Sequence, residues 1–243
     1  MSQHFAPERF FGVDRFVIER QLGEGSMGAV YLALDRERDT KVALKTLRRV
    51  DASGIYRFKR EFRALADVSH PNLVELHELF SEDSEWFFTM EYVQGQDFLA
   101  YVLGESRRTA ELSPRRTRQI RGGPAARTPG MEVLFPTPLR SFDRVRDVLK
   151  QVVSAIIALH NAGKLHRDLK LDNVMVTREG RAVVLDFGIG KALMSAQRED
   201  SDGRITAAGV SLGTPTYIAP EQASGDPTLD HRADIYALGV VAY

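Results

Sequence analysis

The chain has 243 residues, of which 43% are hydrophobic and 27% charged, as expected for one large or two small folded domains. Lysine plus arginine and aspartate plus glutamate both total 33, so no net charge favours a nucleic-acid or membrane partner. The absence of cysteine excludes disulfides and thiolate-bound metals. No apolar run approaches the roughly 18 residues of a membrane span, and residues 1–14 lack a signal-peptide core. We therefore expect a cytoplasmic protein without a membrane segment.

The N-terminal part predicts a β-hairpin around a glycine motif. Residues 1–14 are expected to form a loose leader, and 15–22 a strand. Gly23-Glu24-Gly25-Ser26-Met27-Gly28 follows, then the apolar run 29–34. A lone motif of this kind is weak, because an ordinary hairpin turn or a dinucleotide-binding loop can carry it. The latter requires a helix after the glycines, whereas β-forming residues follow here, which favours strand–turn–strand.

A strand with a single lysine and a helix with a glutamate come next. The strand 41–47 carries Lys45 at the end of an apolar run. Its ammonium is costly there unless a carboxylate pairs with it. Apolar residues at helical spacing predict a helix over 55–67, and this helix contains Glu61.

Two more strands, at 72–80 and 85–92, bring the N-terminal part to five strands. Beyond them, an arginine-rich stretch at about 104–140 departs from any regular pattern, because glycines and prolines break it repeatedly. Eight arginines lie in or at the end of this stretch: Arg107, Arg108, Arg115, Arg116, Arg118, Arg121, Arg127 and Arg140. We predict a disordered basic insertion. A solvated loop is one interpretation, and a docking surface for an acidic partner is the other.

A polar loop at 165–173 follows a helix predicted to begin at Ser141. Within six residues this loop holds Asp168, Lys170 and Asn173. A carboxylate can accept a proton from an attacking hydroxyl, and an ammonium can neutralise charge on a transferred group. An amide oxygen can bind a hard metal ion. Taken alone, the loop has two interpretations: transfer chemistry, or ordinary polar protein surface.

Asp186-Phe187-Gly188 follows the apolar strand 182–185 and supplies a second metal-binding carboxylate. Further on come Ala219-Pro220-Glu221 and an apolar helix after 230. The glycine motif, the strand lysine, His-Arg-Asp-Leu-Lys-x-x-Asn, Asp-Phe-Gly and Ala-Pro-Glu occur in this order. From about residue 16 to its last residue, the chain resembles the protein kinase family.

The resemblance implies a two-lobed α+β fold with the nucleotide bound between the lobes. A small antiparallel β-sheet lobe with one helix is expected at 15–93, and a larger, mainly α-helical lobe at 94–243. The family's second lobe continues further than this sequence, so we expect the lobe to be incomplete. A chain extended through a complete lobe is expected to be more soluble and more active, since exposed apolar surface favours aggregation.

The resemblance also assigns an ATP site. Met90 would lie at the back of the adenine pocket and Met175 beneath the base, while Glu91 and Val93 would offer backbone groups to the adenine edge. Asp97 would meet the ribose or a basic substrate residue, or be a plain surface aspartate. The residues expected at this site are Leu22, Gly23, Glu24, Gly25, Ser26, Met27, Gly28, Ala29, Val30, Ala43, Lys45, Met90, Glu91, Val93, Asp97 and Met175.

The catalytic roles follow from the same resemblance. Asp168 would deprotonate a substrate hydroxyl, and Lys170 would screen the γ-phosphoryl group in the transition state. Asn173 and Asp186 would hold Mg²⁺, with Mn²⁺ as an alternative. Thr214 would be structural, bonding near the catalytic aspartate.

Lys45, paired with Glu61, would hold the α- and β-phosphates. Lys170 and the Gly-Thr-Pro segment resemble the serine/threonine branch, and Ser-Met-Gly with Ala-Pro-Glu-Gln resembles its bacterial group. The sequence is therefore interpreted as a signalling kinase for serine and threonine hydroxyls of proteins. The alternative is a truncated pseudokinase that only binds a nucleotide or a partner. A small-molecule kinase is disfavoured by Gly-Thr-Pro and Ala-Pro-Glu.

Regulation by phosphorylation is expected between residues 188 and 214. Arg167 and Lys191 would form a phosphate pocket, and a phosphate of about −1.5 to −2 charge would order the segment by pairing with both. Thr206 is the favoured acceptor and Ser211 the second. The alternative for Thr206 is an ordinary polar loop residue.

Overall fold

The computed structural model describes residues 14–25, 28–47, 52–82, 85–104, 142–187, 215–226 and 228–243. These residues form two lobes. A five-stranded antiparallel sheet and one long helix make up the N-terminal lobe, and four helices with a small three-stranded sheet make up the described part of the C-terminal lobe. Residues 1–13 of the leader, most of the basic insertion and Ser141 lie outside the described residues.

The five strands of the N-terminal lobe follow one another in the order β1-β2-β3-β5-β4. They are β1 (Phe16–Gly25), β2 (Gly28–Asp35), β3 (Thr40–Leu47), β4 (Leu76–Glu82) and β5 (Glu85–Glu91). The glycine motif lies in the β1–β2 hairpin, where Gly25 pairs with Gly28. Gly28 has a φ of +148°, and a Cβ on it would collide with the carbonyl of Thr46. Only glycine therefore allows the hairpin to approach β3 so closely.

β4 begins later than the sequence predicts, at residue 76 rather than 72. The expected first residues leave the sheet because they bind the C-terminal lobe. The N–H of Val74 donates to the carbonyl of Val184 at 3.0 Å, and the N–H of Val184 donates to the carbonyl of Asn72 at 2.9 Å. This parallel bridge joins the two lobes behind the cleft.

Helix α1 (Ala52–Ala66) covers one face of the sheet, close to the predicted 55–67. Phe58, Phe62 and Leu65 recur at helical spacing and are all buried. The rings of Phe62 and Phe88 are 5.5 Å apart, edge to face. Each such side chain contributes about 1.5–3 kcal/mol by burial. Apolar contacts with the sheet thus dominate the packing of α1.

The C-terminal lobe is built on a long helix that buries one face. Its strands are β6 (Gly95–Asp97), β7 (Val174–Thr177) and β8 (Ala182–Val184), and its helices are α2 (Phe98–Leu103), α3 (Phe142–Asn161), α4 (Pro220–Ala223) and α5 (Arg232–Ala242). Helix α3 buries Val148, Val152 and Ile156, as its apolar spacing predicts, and it also buries Leu159. Val153 and Ile157 belong to the same apolar series but are exposed. β6 and α2 were not predicted, although Asp97 caps α2 by accepting from the N–H of Ala100 at 2.8 Å. Among the described helices, none is long and apolar enough to cross a bilayer.

A polar seam strengthens the junction between the lobes. The guanidinium of Arg181 donates to both carboxylate oxygens of Glu91, at 2.6 and 3.1 Å, and its Nε donates to the carbonyl of Pro71 at 2.6 Å. The side chain of Asn72 donates to Gln151 at 2.8 Å. These contacts fix the chain segment at which β5 leads into the C-terminal lobe.

Candidate active site

The loop that carries Asp168 is held from beneath by a buried histidine. His166 is fully buried, its Nδ1 accepts from the N–H of Asp168 at 3.3 Å, and its Nε2 lies 3.0 Å from the carbonyl of Leu185. These partners require a neutral ring with its proton on Nε2. Burial lowers the pKa of His166 from its usual 6.5, which maintains that state.

The structure brings together the three polar residues that the sequence selects in this loop. The side-chain amide of Asn173 donates to the Asp168 carbonyl at 2.7 Å and to Asp168 Oδ2 at 3.2 Å. The ammonium of Lys170 lies 3.4 Å from the same Oδ2. The carboxylate of Asp168 is therefore oriented by two donors on one of its oxygens.

A buried aspartate on α5 anchors the backbone of this loop. Asp234 is 1% exposed, and it accepts from the N–H groups of His166 and Arg167, both at 2.8 Å. His160 Nε2 lies 2.9 Å from one of its oxygens. The sequence-based predictions give Asp234 no role. One feature of the sequence points to such a role, namely a carboxylate inside an apolar helical run. A carboxylate that is buried with such a run needs polar partners.

Lys45 reaches across the cleft to Asp186, and the two form an ion pair. Asp186 has a φ of +51°, which turns it out of the strand direction. The N–H of Leu185 donates to the carbonyl of Asn173 at 2.7 Å, so the two metal-binding candidates lie on adjoining backbone. A carboxylate and an amide oxygen are ligands that Mg²⁺ accepts in proteins. The donor set thus fits a hard divalent ion, although the described residues contain no group of three or more acidic, histidine or cysteine side chains that could hold a metal.

Glu61 does not meet Lys45, contrary to the expected pairing. Its Oε2 lies 3.6 Å from the ammonium of Lys164, just before the catalytic loop. Lys45 binds Asp186 instead. The reason is the placement of α1, which sets Glu61 beside the C-terminal lobe. A catalytic role for Glu61 stays a prediction.

The expected adenine-site residues lie in a common apolar cluster. Leu22, Ala43, Met90 and Val93 are buried in it. Val30 and Met175 are partly buried and pack against it. The predicted pocket therefore combines residues from both lobes. Asp97 caps α2, so its carboxylate has a structural partner.

The glycine hairpin is fastened to the strand that carries Lys45. The hydroxyl of Thr46 accepts from the N–H of Ala29 at 3.0 Å and lies 3.3 Å from its carbonyl. Gly23, Glu24 and Gly25 belong to β1. Several predicted site residues lie outside the described part of the chain: Ser26, Met27, Lys191, Thr206, Ser211 and Thr214.

Lys45 of the N-terminal lobe pairs with Asp186, close to a loop that holds a carboxylate, an ammonium and an amide, an arrangement that is typical of a phosphotransferase site between two lobes. The protein kinase domain matches residues 16–243, and the chain belongs to that family. Membership implies use of ATP and a divalent metal ion in general.

Relatives and solved structures agree with this assignment. Serine/threonine-protein kinase pkn3 of Myxococcus xanthus is 36% identical over 94% of this chain, and PrkC of Bacillus subtilis is 33% identical over 94%. The chain spans 37% and 30% of their lengths. The crystal structure of the Mycobacterium tuberculosis PknI kinase domain superposes with a TM-score of 0.64 at 27% identity, covering 98% of this chain and 75% of that one.

Proposed function

We propose that this chain transfers the γ-phosphoryl group of ATP to serine and threonine hydroxyls of proteins. The observation that supports this most strongly is the fixed orientation of Asp168, whose Oδ2 lies 3.2 Å from the Asn173 amide and 3.4 Å from the Lys170 ammonium. A base held in this way is ready for a hydroxyl, and a cation beside it suits a transferred phosphoryl group.

In the proposed reaction, the hydroxyl oxygen of the substrate bonds to the γ-phosphorus while its proton passes to Asp168. The bond from the γ-phosphorus to the β,γ-bridging oxygen breaks, and its electron pair leaves with ADP. Lys170 stabilises the charge that spreads over the phosphoryl oxygens. Lys45 leaves Asp186 and binds the α- and β-phosphates of ATP. Mg²⁺, which Asn173 and Asp186 would hold, supplies further charge neutralisation when bound.

The proposal extends to the setting of the reaction. We place it in the cytoplasm, where ATP is available, and assign proteins as the substrates. The basic insertion, with its eight arginines, has the charge to bind an acidic partner. A nucleotide-binding module without transfer activity is the competing function.

The test is transfer of radiolabelled phosphate from ATP to a generic basic protein, with and without Mg²⁺. Asp168→Asn is expected to lower the rate by about 10²–10⁴-fold, because it removes the general base, while ATP affinity stays nearly unchanged. Asp172→Asn, an exposed acid of the same loop, is the matched control. Lys45→Met is expected to abolish most transfer, whereas Lys41→Met, with an exposed side chain on the same strand, is not.

Three outcomes would contradict the proposal or one of its assigned roles. ATP binding without any transfer by the parent chain would identify a binding module. Transfer at the parental rate by Lys45→Met would show that this lysine is not needed for transfer. A large loss of ATP affinity with intact turnover in Asp168→Asn would show that Asp168 is not the general base.

A further inference from the structure

Arg167, directly before Asp168, has a main-chain conformation that residues with a Cβ rarely adopt. Its φ is +61°, in the left-handed region. This region costs roughly 1–2 kcal/mol for an ordinary residue. Such a conformation persists only where the surrounding structure holds it. The contacts of the Arg167 main chain therefore determine how Asp168 is presented.

Two side chains from distant parts of the sequence hold this main chain. The N–H of Arg167 donates to Asp234 Oδ1 at 2.8 Å. Its carbonyl accepts from Gln222 Nε2, also at 2.8 Å. That carbonyl belongs to the peptide unit whose N–H is the amide of Asp168. Gln222 thus binds the peptide unit that leads into the catalytic carboxylate.

Gln222 is well placed to couple two elements of the C-terminal lobe. It lies on α4, whose first residue is Pro220 and whose preceding residue, Ala219, is fully buried. The side chain lines the same small cavity as Asp168 and Lys170. The position of α4 is therefore transmitted to the catalytic loop through this hydrogen bond.

We propose that Gln222 is a positioning residue for phosphoryl transfer, which it serves by donating to the Arg167 carbonyl and so fixing the orientation of Asp168. The inference rests on the proposed function. The chemistry requires a donor, because a carbonyl only accepts. Methionine has a similar shape without the donor. A glutamate carboxylate of nearly the same shape would set a negative charge against the carbonyl oxygen.

The first test compares Gln222→Met and Gln222→Glu with Ser224→Ala, a control in the turn after α4 whose hydroxyl donates to the Glu221 carbonyl. Loss of one hydrogen bond is expected to lower kcat about tenfold in Gln222→Met, and further in Gln222→Glu. The KM for ATP should stay within about twofold, because Gln222 binds the catalytic loop rather than Lys45, which is expected to hold the α- and β-phosphates. A merely structural role would lower Tm and leave kcat of the folded fraction unchanged.

The second test does not depend on turnover. Hydrogen exchange of the segment 165–173 should be faster in Gln222→Met than in Ser224→Ala, because the backbone of Arg167 and Asp168 loses its restraint. If the parent chain transfers no phosphate, the proposed function is wrong. The hydrogen-exchange measurement still shows whether Gln222 restrains the backbone of the catalytic loop.

Three results would overturn the inference. The first is a kcat and a hydrogen-exchange rate in Gln222→Met that equal those of the parent chain. The second is a parental kcat in Gln222→Glu. The third is a change in either variant that is confined to the KM for ATP. If Gln222→Met fails to fold, Gln222→Asn is the deciding variant. Asparagine keeps the amide donor, but its side chain is one methylene too short to reach the Arg167 carbonyl. A parental kcat in that variant would then overturn the positioning role.

Discussion

The two sides of the cleft are held by different kinds of contact. On the C-terminal side, buried side chains such as Asp234 and Asn173 hydrogen-bond the backbone of the catalytic loop directly. On the N-terminal side, Lys45 and Glu61 do not meet, and each binds a residue of the other lobe. One side is fixed by directional bonds, and the other is an arrangement of charges that can exchange partners.

The packing of α1 explains this difference. Its buried contacts are apolar, through residues such as Phe58 and Phe62, and apolar contacts have little directional preference. The Glu61–Lys164 pair is partly exposed, with side chains 29% and 24% accessible. Such pairs contribute about 0–1 kcal/mol. A small shift of α1 can therefore change the partner of Glu61, whereas a shift of the catalytic loop would break buried hydrogen bonds.

The largest expected effect comes from breaking the fixed side at Asp234. In Asp234→Ala, the buried N–H groups of His166 and Arg167 lose their acceptor, at about 1–3 kcal/mol each. We expect a loss of about 3–5 kcal/mol in the free energy of unfolding, measured by urea denaturation. Asp230→Ala, at a half-buried residue before α5 whose carboxylate accepts from the N–H of Arg232, should cost less, about 0.5–2 kcal/mol.

The same variant should be almost inactive even where it remains folded, because the loop that presents Asp168 loses its anchor. Equal stabilities for the two alanine variants, or parental activity in Asp234→Ala, would contradict the contrast between the two sides.

A smaller effect is expected on the exchangeable side. If Glu61 moves to Lys45 during turnover, Glu61→Gln should lower kcat/KM by about 10–100-fold, the equivalent of a charged hydrogen bond of about 1.5–3 kcal/mol. Lys164→Met removes the competing partner and should raise kcat/KM by up to about fivefold. Measuring both variants at one ionic strength avoids differences in screening. A decrease in Lys164→Met comparable to that in Glu61→Gln would mean that the observed pair is itself needed for activity.

The features that sequence predicts well are those set by local pattern. The β1–β2 hairpin, the strand with Lys45 and the apolar stripe of α3 follow from residue periodicity and turn residues. The contacts among Asp168, Lys170 and Asn173 are also local, because all three lie within six residues.

The features that sequence misses depend on residues distant along the chain. Gln222 binds a carbonyl 55 residues away, and Asp234 binds amides 67 and 68 residues away. The late start of β4 has the same origin, because Val74 pairs with a strand of the other lobe. Periodicity carries no information about such partners, and the position of Glu61 depends on how a whole helix settles on a sheet.

The smallest expected effect is a difference in acid sensitivity between the two lobes. Burial lowers the pKa of His77 on β4 and of His166 from the usual 6.5. The unfolded chain takes up these protons below about pH 6.5, while the folded chain resists, so both lobes lose stability as the pH falls below that value. In the N-terminal lobe, the Arg15 guanidinium also lowers the pKa of Asp35 and of Glu78.

Lowered carboxyl pKa values act at a different pH. Their stabilisation is present above the ordinary values of 3.8 for Asp35 and 4.5 for Glu78, and it is lost as the pH falls below them. The N-terminal lobe should therefore lose stability in two steps. The fluorescence of Trp86, the one tryptophan in the chain, reports this lobe, because the residue lies on β5.

His77→Leu should remove most of the first step from the Trp86 signal between pH 7 and 5. It should leave the second step below about pH 4.5, and the acid response of far-ultraviolet circular dichroism, to which α3 contributes strongly, should change little. His231→Leu, which removes an exposed histidine, is the control and should leave both signals as in the parent chain. If Trp86 in His77→Leu still responds between pH 7 and 5 as in the parent chain, the acid sensitivity of the N-terminal lobe does not come from this buried ring. His166 beneath the catalytic loop, whose pKa burial also lowers, would then be the next candidate among the described residues.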